Sequence, residues 1–146
     1  MRLALASDHG GFELKERLRQ DLRADGHTVV DHGPSTADAV DYPDLAAVVA
    51  RAVASGEADL GVLVCGSGIG MSIAANKIVG VRAAVVQDTE HARLAREHND
   101  ANVLCLGGRF TAPPLALDMV RAWLSAECTG ERHRRRVTKI AALEIS

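Results

Sequence analysis

The sequence predicts an α/β protein: a three-layer αβα sandwich built on a five-stranded parallel sheet, with one extra helix at the C-terminus. Two observations carry this. Five short apolar runs alternate with helical stretches long enough to serve as right-handed crossovers. The third run, Leu60 to Val64, is apolar at every position but the glycine, which suits a strand covered on both faces.

The elements follow in order. Leu3 to Ala6 is a first strand, and the acidic Asp8 comes too soon after it for a signal peptide. Gly11 to Ala24 is a helix with Phe12, Leu14, Leu18 and Leu22 largely on one face. Thr28 to Val30 is a second strand, followed by the loop His32 to Thr36. A helix opens at Tyr42-Pro43, where proline's missing N–H costs little, and runs to about Ser55. After the Leu60 to Val64 strand come a helix from Ile69 to Lys77, a strand from Val81 to Val86, and a helix from Thr89 to Glu97 capped near Asp88 or Thr89. Val103 to Leu106 is the fifth strand, closed by Gly107-Gly108. Pro113 to Ala126 is a helix, and a basic helix spans Glu131 to Glu144. No repeat or linker interrupts this pattern, so residues 1–146 read as one domain.

Composition narrows the function. The chain has 146 residues, 47% of them apolar, enough for a full core. A net charge of −2 argues against a general nucleic-acid binder, and 3% aromatic residues leave little for base stacking. No apolar run reaches the roughly 20 residues of a membrane span. Three cysteines without paired spacing suit a reducing compartment, so a cytoplasmic location is expected.

In open α/β sheets, ligands sit beyond the carboxyl ends of the strands, near the switch in strand order. Asp8-His9-Gly10-Gly11, Cys65 to Gly70 and Gly107-Gly108-Arg109 follow strands, and His98-Asn99 ends the helix before the fifth; all are expected in that crevice. Cys65 closes a buried strand ahead of Gly66-Ser67-Gly68-Ile69-Gly70 and a helix start, a setting that favours a thiolate. The loop lacks the Lys-Ser/Thr of a phosphate-binding Walker loop and the third glycine of a dinucleotide fingerprint, and Cys65 takes the place of one glycine of a nucleophile elbow. What remains is a nest of N–H groups able to hold an oxyanion. Asp8 fits either a turn cap or a ligand contact. His98-Asn99 fits either a helix end, with Asn99 as left-handed cap, or a site. His91 and His98 stand two helical turns apart, about 10 Å, too far to share one ion, and no metal is expected. Arg132 and Arg136, at i and i+4, present two guanidinium forks on one helix face, as one phosphate group would require. Thiol base, oxyanion nest, acid–base histidine and phosphate clamp are the tools for moving a proton beside a carbonyl.

Five motifs in this order resemble the ribose-5-phosphate isomerase B family, which also includes galactose-6-phosphate and allose-6-phosphate isomerases. They are Ser7 to Gly11, Asp41 to Asp44, Cys65 to Gly70 with Ala74 to Lys77, Arg96 to Leu104 with Gly107 to Arg109, and Arg132-His133 with Arg135 to Val137. The resemblance covers nearly the whole chain and implies a Rossmann-like fold and a cofactor-free aldose–ketose isomerase of sugar phosphates. It implies that Cys65 moves the proton between carbons 1 and 2, that Ser67 and the N–H groups of Gly66, Gly68, Ile69 and Gly70 steady the enediolate, and that His98 opens the furanose ring beside Asn99. Asp8 and Tyr42 would line the sugar, and His9, Arg109, Arg132 and Arg136 would meet the phosphate. The family's sites form between two subunits, so a homodimer or homotetramer is implied, with residues such as His98 and Asn99 open to serving the partner's pocket. One branch of the family uses a glutamate later in the loop; here Cys65 is present and Ile69 cannot act as a base. Ser67 stands where Thr is common, and Glu131 where glycine is. Six-carbon, four-carbon and unphosphorylated sugars stay open as substrates. A non-catalytic phosphosugar-binding domain and a nucleic-acid binder using Arg132 to Arg136 are the rivals from other classes.

Overall fold

The computed structural model describes residues 1–145. Its elements are β1 (Arg2–Ser7), a 3-10 turn (His9–Gly11), α1 (Phe12–Ala24), β2 (Thr28–Asp31), α2 (Tyr42–Ala54), β3 (Leu60–Cys65), α3 (Ile69–Ala75), β4 (Ala83–Val85), α4 (Thr89–Asn99), β5 (Val103–Gly107), α5 (Pro113–Ser125), α6 (Glu131–Ala142) and a last 3-10 turn (Leu143–Ile145). The strands form one sheet in the order β2-β1-β3-β5-β4, parallel throughout. The α/β sandwich expected from the sequence is therefore present, with α6 as its additional helix.

Alternation along the strands sorts side chains between two cores. Leu3, Leu5, Val62, Val64, Leu104 and Leu106 pack against α1, α4 and α5, while Ala4, Ala6, Leu63, Cys65, Val103 and Cys105 pack against α2 and α3. Alanines on β1 and on α2 (Ala46, Ala50) keep the second layer close to the sheet. On the other face Trp123 is fully buried, and its indole N–H donates to the Ala101 carbonyl at 2.9 Å. That bond ties α5 to the turn after α4. Helix α6 buries none of its residues.

Boundaries shift where side chains take over backbone groups. The fourth strand is shorter than its apolar run, because the N–H of Arg82 donates to Asn102 Oδ1 (2.7 Å) and that of Ala83 to Asn76 Oδ1 (2.8 Å). The second of these bonds also ends α3 at Ala75, since Asn76 leaves the helix to hold β4. The left-handed cap of α4 is Asp100 (φ 48°), not Asn99. Arg82 and Arg96 both pair with the Asp100 carboxylate, at 3.3 and 2.9 Å, and steady that turn. Among the described residues no helix is long and apolar enough to cross a membrane.

Candidate active site

The strand order turns at β1 and β3: from β1 the chain goes to β2 on one side and then to β3 on the other. Crevices open beyond the carboxyl ends at such a switch. Asp8 and Cys65 stand there, and the N–H of Asp8 donates to the Val64 carbonyl at 3.1 Å.

Cys65 is the last residue of β3, with only 5% of its surface exposed. The N–H of Gly68 donates to Cys65 Sγ at 3.1 Å. Gly68 reaches that position with φ +82°, a left-handed conformation that costs a glycine little. Because α3 has only seven residues, this direct N–H matters more to the sulfur than any long-helix dipole. The loop is clamped from below: the N–H of Gly108 donates to the Cys65 carbonyl (2.7 Å) and that of Arg109 to the Gly66 carbonyl (3.1 Å). Ser67 Oγ accepts from the Ile69 N–H at 3.3 Å, which leaves its own proton to donate outward.

Three more expected residues surround this loop. A Cβ placed on Gly66 would lie 3.2 Å from Arg109 Nη1, so the guanidinium rests over the loop. A Cβ on Gly70 would come within 2.5 Å of Tyr42 Cζ; the bare glycine lets that ring approach. Asp8 is 8% exposed, and its Oδ1 accepts from the Gly11 N–H at 3.1 Å, so the cap is real and coexists with a place at the crevice. His9 is exposed in the next turn. Cys105, also on the second-core face, is fully enclosed; burial, and then the neighbouring Cys65, push its thiol well above the ordinary thiol range. The two cysteines are thus separated into a thiol at the crevice and an inert core residue.

His98 and Asn99 are elsewhere. They end α4, which returns to the amino end of β5, whereas Cys65 pairs with Gly107 at its carboxyl end. Val103 pairs with Gly61, so the two ends of β5 are four steps apart, about 13 Å at ~3.3 Å per residue. The expectation that these residues share the carboxyl-edge crevice of one chain is corrected: the helix before a parallel strand ends at the opposite edge. Arg132 and Arg136 go with them, exposed on α6, which packs on α4. His133 between them lies flat on His98, with ring centroids 4.1 Å apart and planes 12° apart. Sequence reasoning passed over His133, because nothing in the run of arginines marks which residue faces α4. His91 is engaged by Asp88, whose carboxylate caps α4 through the His91 N–H and pairs with the ring at 2.7 Å. Among the described residues no cluster of three or more His, Cys, Asp or Glu is placed to hold a metal.

An open parallel sheet with a thiol and an N–H-rich loop at its switch point is the layout of an enzyme for a small anionic molecule. A family model described as Ribose/Galactose Isomerase matches residues 3–140, and the chain belongs to that family. The ribose-5-phosphate isomerase B of Escherichia coli is 46% identical over 98% of this chain and 96% of its own length. The solved structure of ribose-5-phosphate isomerase B from Clostridium thermocellum superimposes with a TM-score of 0.98 at 50% identity, covering 99% of this chain and 98% of that one. That of Mycoplasma genitalium, described with bound ribulose-5-phosphate, gives a TM-score of 0.96 at 44% identity over 99% and 97% of the two chains. Other relatives are named as a galactose-6-phosphate isomerase subunit and a D-erythrulose-4-phosphate isomerase. The chain is thus a sugar-phosphate isomerase by family.

Proposed function

We propose that this chain interconverts ribose 5-phosphate and ribulose 5-phosphate through a cis-enediolate, with Cys65 as the base. The observation that carries the assignment is the Cys65 sulfur at the strand-order switch, held by a Gly68 N–H 3.1 Å away. His98 helps open the furanose. The sulfur then takes the proton from carbon 2, and the C–H electron pair forms the C1=C2 bond as charge moves onto the carbonyl oxygen. The N–H groups of Gly68 and Ile69 already bond within the loop, so the cradle for that oxygen falls to Gly66, Ser67 and Gly70, with the Ser67 hydroxyl donating. A proton passes from the carbon-2 hydroxyl to the carbon-1 oxygen, and the thiol returns its own proton at carbon 1 as the carbon-2 carbonyl forms, leaving Cys65 a thiolate again. Asp8 and Tyr42 line the sugar, and Asn99 accompanies His98. Arg109 and His9 serve the phosphate from the thiol side, Arg132 and Arg136 from the other.

One copy cannot do this alone, since the thiol and His98 occupy opposite edges of the sheet. A second copy completes the site, as a homodimer or as part of a homotetramer. Apolar residues stand exposed beside both edges: Ile69, Ile73 and Val85 near the thiol loop and β4, Ile140 and Leu143 near α6. β4, α4 and α6 also line an open cleft of about 1080 Å³ that reaches His98 and Asn99. Pairing such surfaces about a two-fold axis would cover both at once. All 146 residues then act as one isomerase domain, in a reducing cytoplasm that keeps Cys65 free, without metal, organic cofactor, nucleic acid or membrane.

The test is Cys65→Ala, assayed for turnover and for deuterium uptake from heavy water. Turnover should fall by more than the ~10²–10³ lost with a single oxyanion donor, while phosphosugar binding by calorimetry survives. A variant that kept most of its turnover would remove Cys65 as the base. Comparing four-, five- and six-carbon aldose phosphates by kcat/KM would fix the substrate.

A further inference from the structure

We propose that His133 is a positioning residue: its ring, laid flat on His98, holds that imidazole in place for ring opening and links it to the arginine pair on α6. The proposal rests on the isomerase reading above and goes beyond it.

Helix α6 has no core anchor, and only His133 and Val137 within its first two turns are half-buried. They stand at i and i+4 and so share the face toward α4. The His98–His133 stack is accordingly a main joint between the two helices. A Cβ on Gly130 would sit 2.9 Å from His133 Cδ2, so the residue that caps α6 lies close against the ring. Arg132 Nη2 lies 3.5 Å from His133 Nε2, which places one phosphate arginine against the same ring.

A flat stack of two imidazoles is stable when at most one is charged. Burial first, and then His98, Arg132 and Arg136, hold His133 below the ordinary histidine range, with Glu97 opposing. That lowering favours the neutral form of the ring that supports His98, and a phosphate drawn to Arg132 and Arg136 bears on the helix that carries it.

The two sugar phosphates separate this role from others. Ribose 5-phosphate is mainly a closed furanose. Ribulose 5-phosphate carries phosphate on the oxygen that would close a five-membered ring and stays open. Ring opening is therefore needed from one side only. His133→Ala should lower kcat/KM for ribose 5-phosphate by roughly 10- to 100-fold, the scale on which small misplacements act. Deuterium uptake at carbon 1 of ribulose 5-phosphate should fall less than about threefold, because proton transfer itself is intact. His133→Phe, which keeps a flat ring, should recover most of the loss. An equal loss in both assays would overturn the proposal in favour of a phosphate or folding role, and so would a loss that Phe does not recover. Absence of deuterium uptake in the unmutated protein would instead defeat the isomerase reading, and the proposal with it.

Discussion

The thiol side and the histidine side of this molecule are held by different means. Around Cys65 the positions are set by backbone: Gly68, Gly108, Arg109 and Asp8 all place main-chain N–H groups on residues 64 to 66. That half grows out of buried strands and contains little that can rotate. Around His98 the positions are set by side chains: a stacked imidazole, an arginine beside it, and a helix with no core residue. A base has to meet a C–H bond at a defined angle, which suits rigid backbone. A phosphate clamp has to admit and release an anion, which suits an exposed helix.

The most demanding trial of this division is to mix the halves. Cys65→Ala and His98→Ala should each be nearly inactive, yet co-refolded in equal amounts they should regain roughly a quarter of normal turnover, since half of all dimers would carry one complete site. No recovery would mean that both residues serve one site within a chain. Next in size, Arg132→Ala with Arg136→Ala should raise KM for phosphosugars about 10- to 100-fold, in line with lost charged hydrogen bonds, and leave activity on free sugars nearly unchanged. Equal losses on both substrates would count against a clamp.

Stability offers smaller contrasts. Trp123→Ala should cost about 3–5 kcal/mol on urea unfolding, for a large buried ring, and release the Ala101 turn that follows the histidine side. A loss under about 1 kcal/mol would show that the site collapses without strain. Least affected should be Arg121→Ala, in neither half. Arg121 pairs with Asp25 on the surface and holds that carboxyl below its ordinary range. A lowered folded-state value means stability that is present at neutral pH and lost as acid protonates Asp25. The variant and the parent should therefore differ slightly at neutral pH and converge in acid; a gap that widened in acid would have the wrong sign.

Much of this was legible along the chain because it is local. Apolar runs named the strands, and Cys65 to Gly70 announced itself as one contiguous segment whose geometry depends on its own residues. Tyr42 and Arg109 could be named as candidates from the resemblance, but their approach to Gly70 and Gly66 depends on packing between elements. Strand ends were less legible: the β4 boundary was set by Asn76 and Asn102, whose amides replace ladder bonds, and the α4 cap passed to Asp100 because two arginines gather on it.

By itself the sequence determined the αβα architecture, the thiol loop and the spacing of Arg132 and Arg136, since periodicity and neighbouring residues suffice for each. Only the tertiary structure decided that His98 sits at the far edge of the sheet from Cys65 and that His133 lies against it. Both depend on where a helix returns the chain and on contacts between residues far apart in sequence, and no local pattern encodes those.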